Sequence, residues 1–254
     1  MTGVFLVPSY VFAEAVRAFW GTRMRQSSAQ TARGTADQGA RGAVTGGAQM
    51  NGFVRTIVTL MVNSGVRPES IFVDRGAIPM DYGAGSTTSL PGYYRPTKKW
   101  DIVVVERGDL IAAIELKSQI GPSFGNNFNN RTEEAIGTAA DIWTAYREGA
   151  FGTSATPWLG YLFLLEDCAD SRRPVPARTP HFAVFPEFVG ASYALRYELL
   201  CRRLVRERQY SAACFLMADA AHADAAENYT EPAQDLAGER FLTQLLSHVS
   251  ANAR

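Results

Sequence analysis

The sequence predicts one α/β domain in which helices cover both faces of a mixed β-sheet. Two apolar stretches, Trp100 to Val105 and Leu110 to Lys117, flank a short polar turn, as the strands of a β-hairpin do. A third apolar stretch, Trp158 to Leu165, is uninterrupted, which is typical of a strand buried on both faces. Amphipathic helical patterns stand before, between and after these strands, and this order of elements indicates a layered α/β domain.

The elements before the hairpin are mostly helical. Apolar residues at helical spacing predict a helix from Val11 to Arg25, with Ser9 as its N-cap. The stretch Arg33 to Gly52 contains six glycines in twenty residues, so we expect an irregular arm or loop within the domain. A second helix is predicted from Met50 to Asn63, and a short strand from Ile71 to Asp74.

The elements after the hairpin alternate between loops, helices and strands. Gly121 to Asn130 is rich in glycine and asparagine and is predicted to be a loop. The helix Arg131 to Arg147 then carries Glu133 and Glu134 in its first turn, where the helix dipole favours acids. The other segments predicted are a turn-rich stretch (Gly83 to Pro96), a surface loop with four prolines (Ser171 to Pro186), a helix (Ala191 to Glu207), a strand (Ala212 to Met217) and a closing helix (Phe241 to Val249).

Composition excludes several classes of protein. The 254 residues form one large domain, and 25 basic against 25 acidic residues give no net charge, so nucleic-acid binding cannot be inferred from composition. The three cysteines are widely spaced without a CxxC pair, which suits free thiols in a reducing cytoplasm. We see no secretion signal and no apolar run near the ~20 residues that span a bilayer. The three histidines lack metal-ligand spacing, so zinc is not favoured.

The hairpin carries charges that a buried sheet does not explain. If the two strands pair symmetrically about Gly108, Val105 faces Ile111 and Asp101 faces Glu115. Directly opposed side chains have Cβ atoms ~5 Å apart, so these two carboxylates would repel each other. A divalent cation removes the repulsion, and Mg²⁺ is usually bound by one or two carboxylates with water and phosphate oxygens.

Lys117 shares the face of Glu115, because side chains two residues apart on a strand point the same way. Its ammonium group can orient an attacking water or stabilise charge on a phosphate. Asp101, Glu115 and Lys117 are therefore predicted as catalytic residues of a metal-dependent phosphodiesterase, with Asp101 and Glu115 as metal ligands. The alternative is structural: Asp101 at a frayed strand end, and the other two in a half-exposed cross-strand pair.

A longer stretch resembles a known family. The run RPTKKWDIVVVERGDLIAAIELKSQIGPSFGNNFNNRTEEAIGTAADIWTAYREG is similar to the XhoI-type restriction endonucleases, a branch of the PD-(D/E)xK nucleases. The likeness continues upstream in GARGAVTGGAQMNGF and downstream in RYELLCRRL, and so covers most of the chain. Asp101, Glu115 and Lys117 match the motif residues, although Trp100 stands where the motif has proline.

The resemblance implies a fold and a function. It implies a restriction-endonuclease-like core, with a central mixed sheet flanked by helices. It also implies a Mg²⁺-dependent type II endonuclease that acts as a homodimer on a palindromic site in double-stranded DNA, with CTCGAG as the expected target. A cognate DNA methyltransferase is the expected genetic companion, since a restriction-modification system must protect the DNA of its prokaryotic host.

Several polar residues near the hairpin are predicted to contact DNA. Asparagine pairs with adenine and arginine with guanine in the major groove, while lysine and arginine contact phosphates. These candidates are Gln119, Asn126, Asn127, Asn129, Asn130, Arg131, Lys98 and Lys99, with Arg95 as a further phosphate neighbour. The alternatives are an Asx-rich loop, a solvated strand end and a solvated basic run.

Other groups are less specific. Glu134 is a possible further carboxylate near the metal, and Arg41 and Gln49 are possible DNA contacts within the glycine-rich stretch. The helix from Ala191 carries an arginine stripe that would line a DNA cleft or a dimer interface, or simply face solvent. Two other functions stay open: a catalytically silent DNA-binding module and a structure-directed DNA nuclease on the same fold.

Overall fold

A computed structural model describes residues 7–32, 48–74 and 87–252 of the chain. Most of the predicted glycine-rich arm, including Arg41, lies outside these ranges. The strands are β1 (Ile71–Val73), β2 (Ser89–Pro91), β3 (Thr97–Lys99), β4 (Ile102–Glu106), β5 (Asp109–Gln119), β6 (Trp158–Glu166) and β7 (Ala212–Ala218). The helices are α1 (Ala13–Ala32), α2 (Asn51–Asn63), α3 (Phe124–Arg147), α4 (Ala169–Arg172), α5 (Tyr193–Arg206) and α6 (Gly238–Asn252).

The central sheet is mixed, as the sequence predicts. Its strand order is β1-β4-β5-β6-β7, with antiparallel pairing from β1 to β5 and parallel pairing from β5 to β7. Strands β2 and β3 form a separate two-stranded antiparallel sheet. The sequence predicted only turns in that region, because each of these strands is three residues long and mostly exposed.

Helices pack on both faces of the central sheet. On the first face, α1, α2 and α6 bury apolar side chains such as Phe19, Ile57 and Leu245 against the sheet. On the second face, α3 and α5 pack against the sheet through side chains such as Ile142 and Leu204. This arrangement confirms the predicted fold class. In the described residues, no helix is long and apolar enough to cross a membrane.

The hairpin of β4 and β5 is confirmed, but its register near the turn differs from the prediction. The two turn residues, Arg107 and Gly108, have φ angles of +52° and +90°. This tight turn pairs Val105 with Leu110, so the predicted pairing of Val105 with Ile111 is wrong. Ile111 is the extra residue of a β-bulge, a local insertion that shifts the pairing by one residue.

Beyond the bulge the register returns to the predicted one. Val104 pairs with Ala112, and Ile102 pairs with Ile114. Asp101 lies just before β4, outside the paired residues. Its hydrogen bonds go to Ile114 and Leu116, the residues on either side of Glu115, and these contacts place Asp101 beside Glu115.

The predicted loop from Gly121 to Asn130 is wrong, because α3 begins at Phe124 and includes the four asparagines. Glycine and asparagine have low helix propensity, but tertiary packing overrides it here. Phe124 stacks on Tyr193 of α5 with ring centroids 5.7 Å apart, and a second ring of α3, Phe128, contacts Tyr197 edge-on at 5.1 Å.

Smaller corrections concern element ends. Glu133 and Glu134 lie inside α3 rather than in its first turn, so the helix dipole does not explain them. Helix α1 begins at Ala13, so Ser9 is not its N-cap. The predicted irregular stretch ends before Gly52, because a 3₁₀ turn (Ala48–Met50) leads directly into α2.

Candidate active site

The predicted catalytic side chains come together at the end of the hairpin that lies away from its turn. Glu115 and Lys117 point from β5 toward the second face of the sheet, the side covered by α3 and α5. Asp101 precedes β4 and is fixed by two hydrogen bonds to β5. Its backbone N–H donates to the Ile114 carbonyl at 3.2 Å, and its Oδ2 accepts from the backbone N–H of Leu116 at 2.7 Å.

Glu115 is a buried carboxylate held between two lysines. The residue is only 3% exposed. Its Oε2 accepts a hydrogen bond from Nζ of Lys98 at 2.8 Å, and its Oε1 is paired with Nζ of Lys117. Burial raises the pKa of Glu115, but the two ammonium groups outweigh burial, so its pKa lies below the ordinary value. Glu115 is therefore ionised at neutral pH.

The pKa of Asp101 is shifted in the opposite direction from that of Glu115. Burial, and then the negative charge of Glu115, raise its pKa to about 6. Lys117, Lys98 and the hydrogen bond from the Leu116 backbone act against this increase but do not cancel it. A carboxylate with a raised pKa beside another carboxylate gains stability when a cation approaches.

Lys117 keeps its proton. Burial lowers its pKa, but the nearby charges of Glu115 and Asp101 outweigh burial, and the pKa lies above the ordinary lysine value. The charge of Glu134 on α3 contributes in the same direction. Lys117 is thus a cation at neutral pH and can donate hydrogen bonds, but it is not a proton acceptor.

The donor set fits Mg²⁺. Asp101 and Glu115 offer hard carboxylate oxygens, which Mg²⁺ prefers, and one or two carboxylates suffice when water and substrate phosphate complete the coordination. Within the described ranges, no group of three or more His, Cys, Asp or Glu side chains is placed to hold a metal. The site therefore resembles a Mg²⁺ site shared with a phosphate rather than an all-protein cage.

Lys98 enters the site from the small β2–β3 sheet, whose position depends on a carboxylate of α3. Asp141 accepts hydrogen bonds from the backbone N–H groups of Tyr93 and Tyr94, at 2.7 and 2.9 Å. It also accepts from Nε of Arg95 at 2.6 Å. A Cβ at Gly92 would lie 2.6 Å from Asp141 Oδ2 and 2.7 Å from a backbone carbonyl, so only glycine fits there.

Sequence reasoning missed Asp141, although a signal was available. The residue lies within the buried stripe of α3, between Thr138 and Ile142. A carboxylate in an apolar helix stripe must be paired, and here its partners are the turn that joins β2 to β3. Arg95, predicted as a phosphate neighbour, is held by Asp141 instead.

The other predicted DNA contacts divide into exposed and occupied groups. Asn126, Asn129 and Asn130 are exposed on the first turns of α3, and Asn127 is half-buried. Arg131 is half-buried and pairs with Glu134 at 2.5 Å.

The remaining predicted polar groups have partners within the chain. Gln119 is buried and donates to the Ile120 carbonyl at 2.7 Å. Lys99 pairs with Asp74 at 2.8 Å on the surface, away from Glu115. Gln49 is buried and bridges the guanidinium of Arg23 and the hydroxyl of Ser118.

The arginine stripe of α5 is also largely occupied. Arg202 pairs with Glu198 and with Asp235, both at 2.8 Å. Arg203 pairs with Glu187 at 3.3 Å, and Arg196 donates to backbone carbonyls. These arginines hold neighbouring segments in place, so they do not form a free basic surface.

Comparisons with known proteins identify the family of the chain. The family model "Restriction endonuclease XhoI" matches residues 29–230. The chain is 50% identical over 222 residues to type II restriction enzyme BstVI of Geobacillus stearothermophilus, covering 85% of this chain and 94% of that protein. It is 47% identical over 190 residues to type II restriction enzyme XhoI of Xanthomonas vasicola, covering 75% of this chain and 72% of that protein.

A third relative is type II restriction enzyme AbrI of Azospirillum brasilense, which is 46% identical over 169 residues. The alignment covers 66% of this chain and 71% of that protein. No solved structure matches the chain.

The replacement Asp101→Asn should stabilise the metal-free protein above about pH 6. The pKa raised from 3.8 to about 6 means that ionised Asp101 opposes folding at neutral pH by about 3 kcal/mol, since one pKa unit corresponds to ~1.4 kcal/mol. Asparagine keeps an acceptor for Leu116. Because the folded protein holds the proton more tightly, the gain is complete above pH 6 and disappears as the pH falls toward about 4. Urea unfolding with EDTA between pH 4 and pH 8 measures it.

The exposed Asp109 at the hairpin turn offers the matched control, because Asp109→Asn removes a carboxylate that is not buried. A stability gain from Asp101→Asn that does not vary with pH would contradict the assignment of the repulsion to this carboxylate.

The replacement Asp141→Ala should release the β2–β3 turn. It leaves two backbone N–H groups and one guanidinium without their acceptor, a loss of about 2–4 kcal/mol. Faster hydrogen exchange in peptides covering residues 89–99, with little change in β6 and β7, is the expected result. Hydrogen-exchange mass spectrometry measures both regions.

The exposed Glu133→Ala on the same helix is the control for this experiment. Burial raises the pKa of Asp141, but hydrogen bonds and Arg95 lower it further, so the net pKa is depressed. The stabilisation is therefore present above about pH 4 and lost as the pH falls. Unchanged exchange in residues 89–99 would show that Asp141 does not position this turn.

Proposed function

The chain belongs to the XhoI restriction endonuclease family, and we propose that it is a Mg²⁺-dependent type II endonuclease that hydrolyses double-stranded DNA at a palindromic site. One observation carries the proposal. A buried, ionised Glu115 lies between two lysines and opposite Asp101, at the positions where the sequence resembles the PD-(D/E)xK motif. The resemblance to XhoI-type enzymes implies CTCGAG as the target.

Asp101 and Glu115 would hold the metal. When bound, Mg²⁺ lowers the pKa of a coordinated water and neutralises charge on the scissile phosphate. Asp101 contributes a carboxylate that is destabilised without a cation, and Glu115 contributes one that is already ionised. The hydrogen bond from the Leu116 backbone fixes the Asp101 oxygen, so the two carboxylates are oriented before the substrate arrives.

Lys117 would stabilise charge on the phosphate. Its raised pKa keeps it protonated, so it serves as a hydrogen-bond donor to a phosphate oxygen or to the attacking water, not as a base. Its pairing with Glu115 sets the direction of the ammonium group. A water would attack phosphorus and lose a proton to solvent, the bond from phosphorus to the leaving oxygen would break, and that oxygen would take up a proton, so that one DNA end carries a phosphate and the other a hydroxyl.

Lys98 would act as a second cation of the site. Its ammonium group donates a hydrogen bond to Oε2 of Glu115, an oxygen that would otherwise be available to a metal ion. Lys98 and Mg²⁺ therefore compete for Glu115, and a lysine displaced from the carboxylate is free to contact a DNA phosphate. Exposed Asn126, Asn129 and Asn130 remain proposed contacts to the duplex, and Arg131 is a weaker candidate because of its pairing with Glu134.

A palindromic target requires a two-fold protein. We propose a homodimer in which each protomer cleaves one strand. Such an enzyme would belong to a restriction-modification system, with a methyltransferase of the same specificity to protect the host DNA. A catalytically silent DNA-binding module is disfavoured, because binding alone does not require two buried carboxylates near a phosphate.

Digestion of a sequenced plasmid by purified protein, with Mg²⁺ or with EDTA, tests the proposal directly. Discrete fragments that require Mg²⁺ are expected, and mapping of their ends shows whether the site is CTCGAG. Glu115→Gln should lower cleavage at least about 100-fold, because it removes one of the two metal-binding carboxylates. The exposed Glu133→Gln should cleave as the wild type does.

The same digestion separates the alternatives. Retention of a specific duplex without cleavage by the wild type would support a binding module. Nicking only at structured or damaged DNA would support a structure-directed nuclease. Cleavage by Glu115→Gln at the wild-type rate would place the active site elsewhere.

Lys98→Met should tighten Mg²⁺ binding to the DNA-free protein and slow DNA cleavage. Removing a cation 2.8 Å from Glu115 Oε2 relieves competition with the metal, by about tenfold in affinity, or ~1.4 kcal/mol. Titration calorimetry with Mg²⁺ measures the affinity, and plasmid digestion measures the rate. Lys99→Met, which removes the neighbouring surface lysine, should leave the Mg²⁺ affinity unchanged. Unchanged or weaker Mg²⁺ binding by Lys98→Met would refute the competition.

A further inference from the structure

The segment between α4 and α5 has no acidic residue over most of its length. From Arg173 to Pro186 it contains two arginines and one histidine but neither aspartate nor glutamate. It is irregular except for a 3₁₀ turn, Pro186–Phe188. We call residues 176–190 the basic loop. Sequence analysis predicted only a surface loop here.

The base of the basic loop is closed by one side chain. The guanidinium of Arg196 on α5 donates to the Val175 carbonyl at 3.0 Å and to the Ala191 carbonyl at 3.1 Å. These two carbonyls lie just before and just after the loop. Arg196 therefore holds both ends together, and the loop is anchored at its base.

The second half of the loop is anchored as well. The guanidinium of Arg203 lies over the rings of Phe185 and Phe188, at 5.5 and 4.8 Å from their centroids. It also pairs with Glu187 at 3.3 Å. Cation–π contacts of this kind fix the direction of a loop without burying it. What remains unattached is the tip, Arg178 to Phe182.

The tip presents groups that the protein itself does not use. Phe182 is 85% exposed, and Arg178 and His181 are exposed beside it. In the described part of the chain, Arg178 has no carboxylate partner, in contrast to the neighbouring Arg172 and Arg173. Phe185 and Val189 of the same loop are also mostly exposed, and a group of exposed apolar side chains, unlike a single one, is typical of an interaction site.

The segment that leads through α4 to the basic loop leaves the sheet at the strand ends beside the active site. Strands β5 and β6 are parallel, and Lys117 pairs with Phe163. Strand β6 ends at Glu166, whose Oε2 accepts a hydrogen bond from the backbone N–H of Gly121 at 2.8 Å. The chain segments that follow both strands therefore start side by side, just beyond Lys117.

We propose that the tip of the basic loop, Arg178 to Phe182, contacts duplex DNA next to the cleavage site, with Arg178 on the phosphates or base edges and Phe182 against the bases. This inference rests on the proposed function. Three observations favour DNA over a protein partner: the cation of Arg178, unpaired among the described residues, the absence of acids from the tip, and the origin of the segment beside the strand end that carries Lys117. Apolar side chains inserted at base steps and arginines in the grooves are common in DNA recognition.

The double variant Arg178→Ala/Phe182→Ala tests this surface without touching the active site. Binding is measured by fluorescence anisotropy with Ca²⁺, on a duplex that contains the site the wild type cleaves and on a scrambled duplex. The expected result is at least about tenfold weaker binding of the cleavable duplex and a weaker dependence of affinity on salt. The melting temperature should be unchanged, because these side chains are exposed.

Arg55→Ala is the control, since Arg55 is exposed on α2, on the other face of the sheet. It should bind both duplexes as the wild type does. Wild-type affinity and salt dependence in the double variant would overturn the inference. The inference would also be overturned if sedimentation showed that the double variant no longer dimerises while each remaining dimer binds DNA with unchanged affinity. That result would make the tip a protein interface. Failure of the wild type to cleave any DNA would instead refute the proposed function on which the inference rests.

Discussion

A one-residue shift in the pairing of β4 with β5 determines which side chains share the active site. The tight turn at Arg107 and Gly108, continued without a bulge, would set Asp101 opposite Ile114 rather than Glu115. Side chains alternate between the two faces of a sheet, so the carboxylates would then point to opposite sides. With the bulge at Ile111, Ile102 pairs with Ile114, and Asp101 reaches the backbone on both sides of Glu115. The proposed metal-binding pair therefore depends on this insertion, although the strands are otherwise apolar.

The site is stable without a metal because it holds equal numbers of acids and ammonium groups. A buried carboxylate beside a half-buried one would oppose folding, and Lys98 and Lys117 offset most of that cost by pairing with Glu115. The compensation is unequal, since the pKa of Asp101 is raised while that of Glu115 is lowered. The remaining destabilisation lies on Asp101, where a cation would relieve it. Electrostatic destabilisation that a ligand relieves increases the affinity of the folded protein for that ligand.

Sequence patterns predicted which charged residues come together better than they predicted the residues that hold them. Asp101, Glu115 and Lys117 stand out because charges on buried strands are costly, and strand periodicity is enough to place two of them on one face. The position of Lys98 in the site cannot be predicted from the sequence in the same way. Lys98 lies on β3, a three-residue exposed strand that is positioned by Asp141, more than forty residues away. The start of α3 was missed for a similar reason. Its asparagines disfavour a helix locally, and only packing of Phe124 and Phe128 on α5 reverses that preference.

The arginines of α5 show that a row of basic residues on one helical face forms a basic surface only if those residues are not already paired with acids. The sequence pattern suggests a basic surface. In the structure, however, Arg202 and Arg203 pair with carboxylates, and Arg196 donates hydrogen bonds that hold the base of the basic loop together. A guanidinium engaged in this way adds little to the field that a DNA phosphate would experience. The helix would therefore act on DNA through what it positions. It holds the basic loop, whose acid Glu187 is already paired with Arg203, so that the charge of Arg178, unpaired in the described part of the chain, is available to DNA in a net-neutral chain.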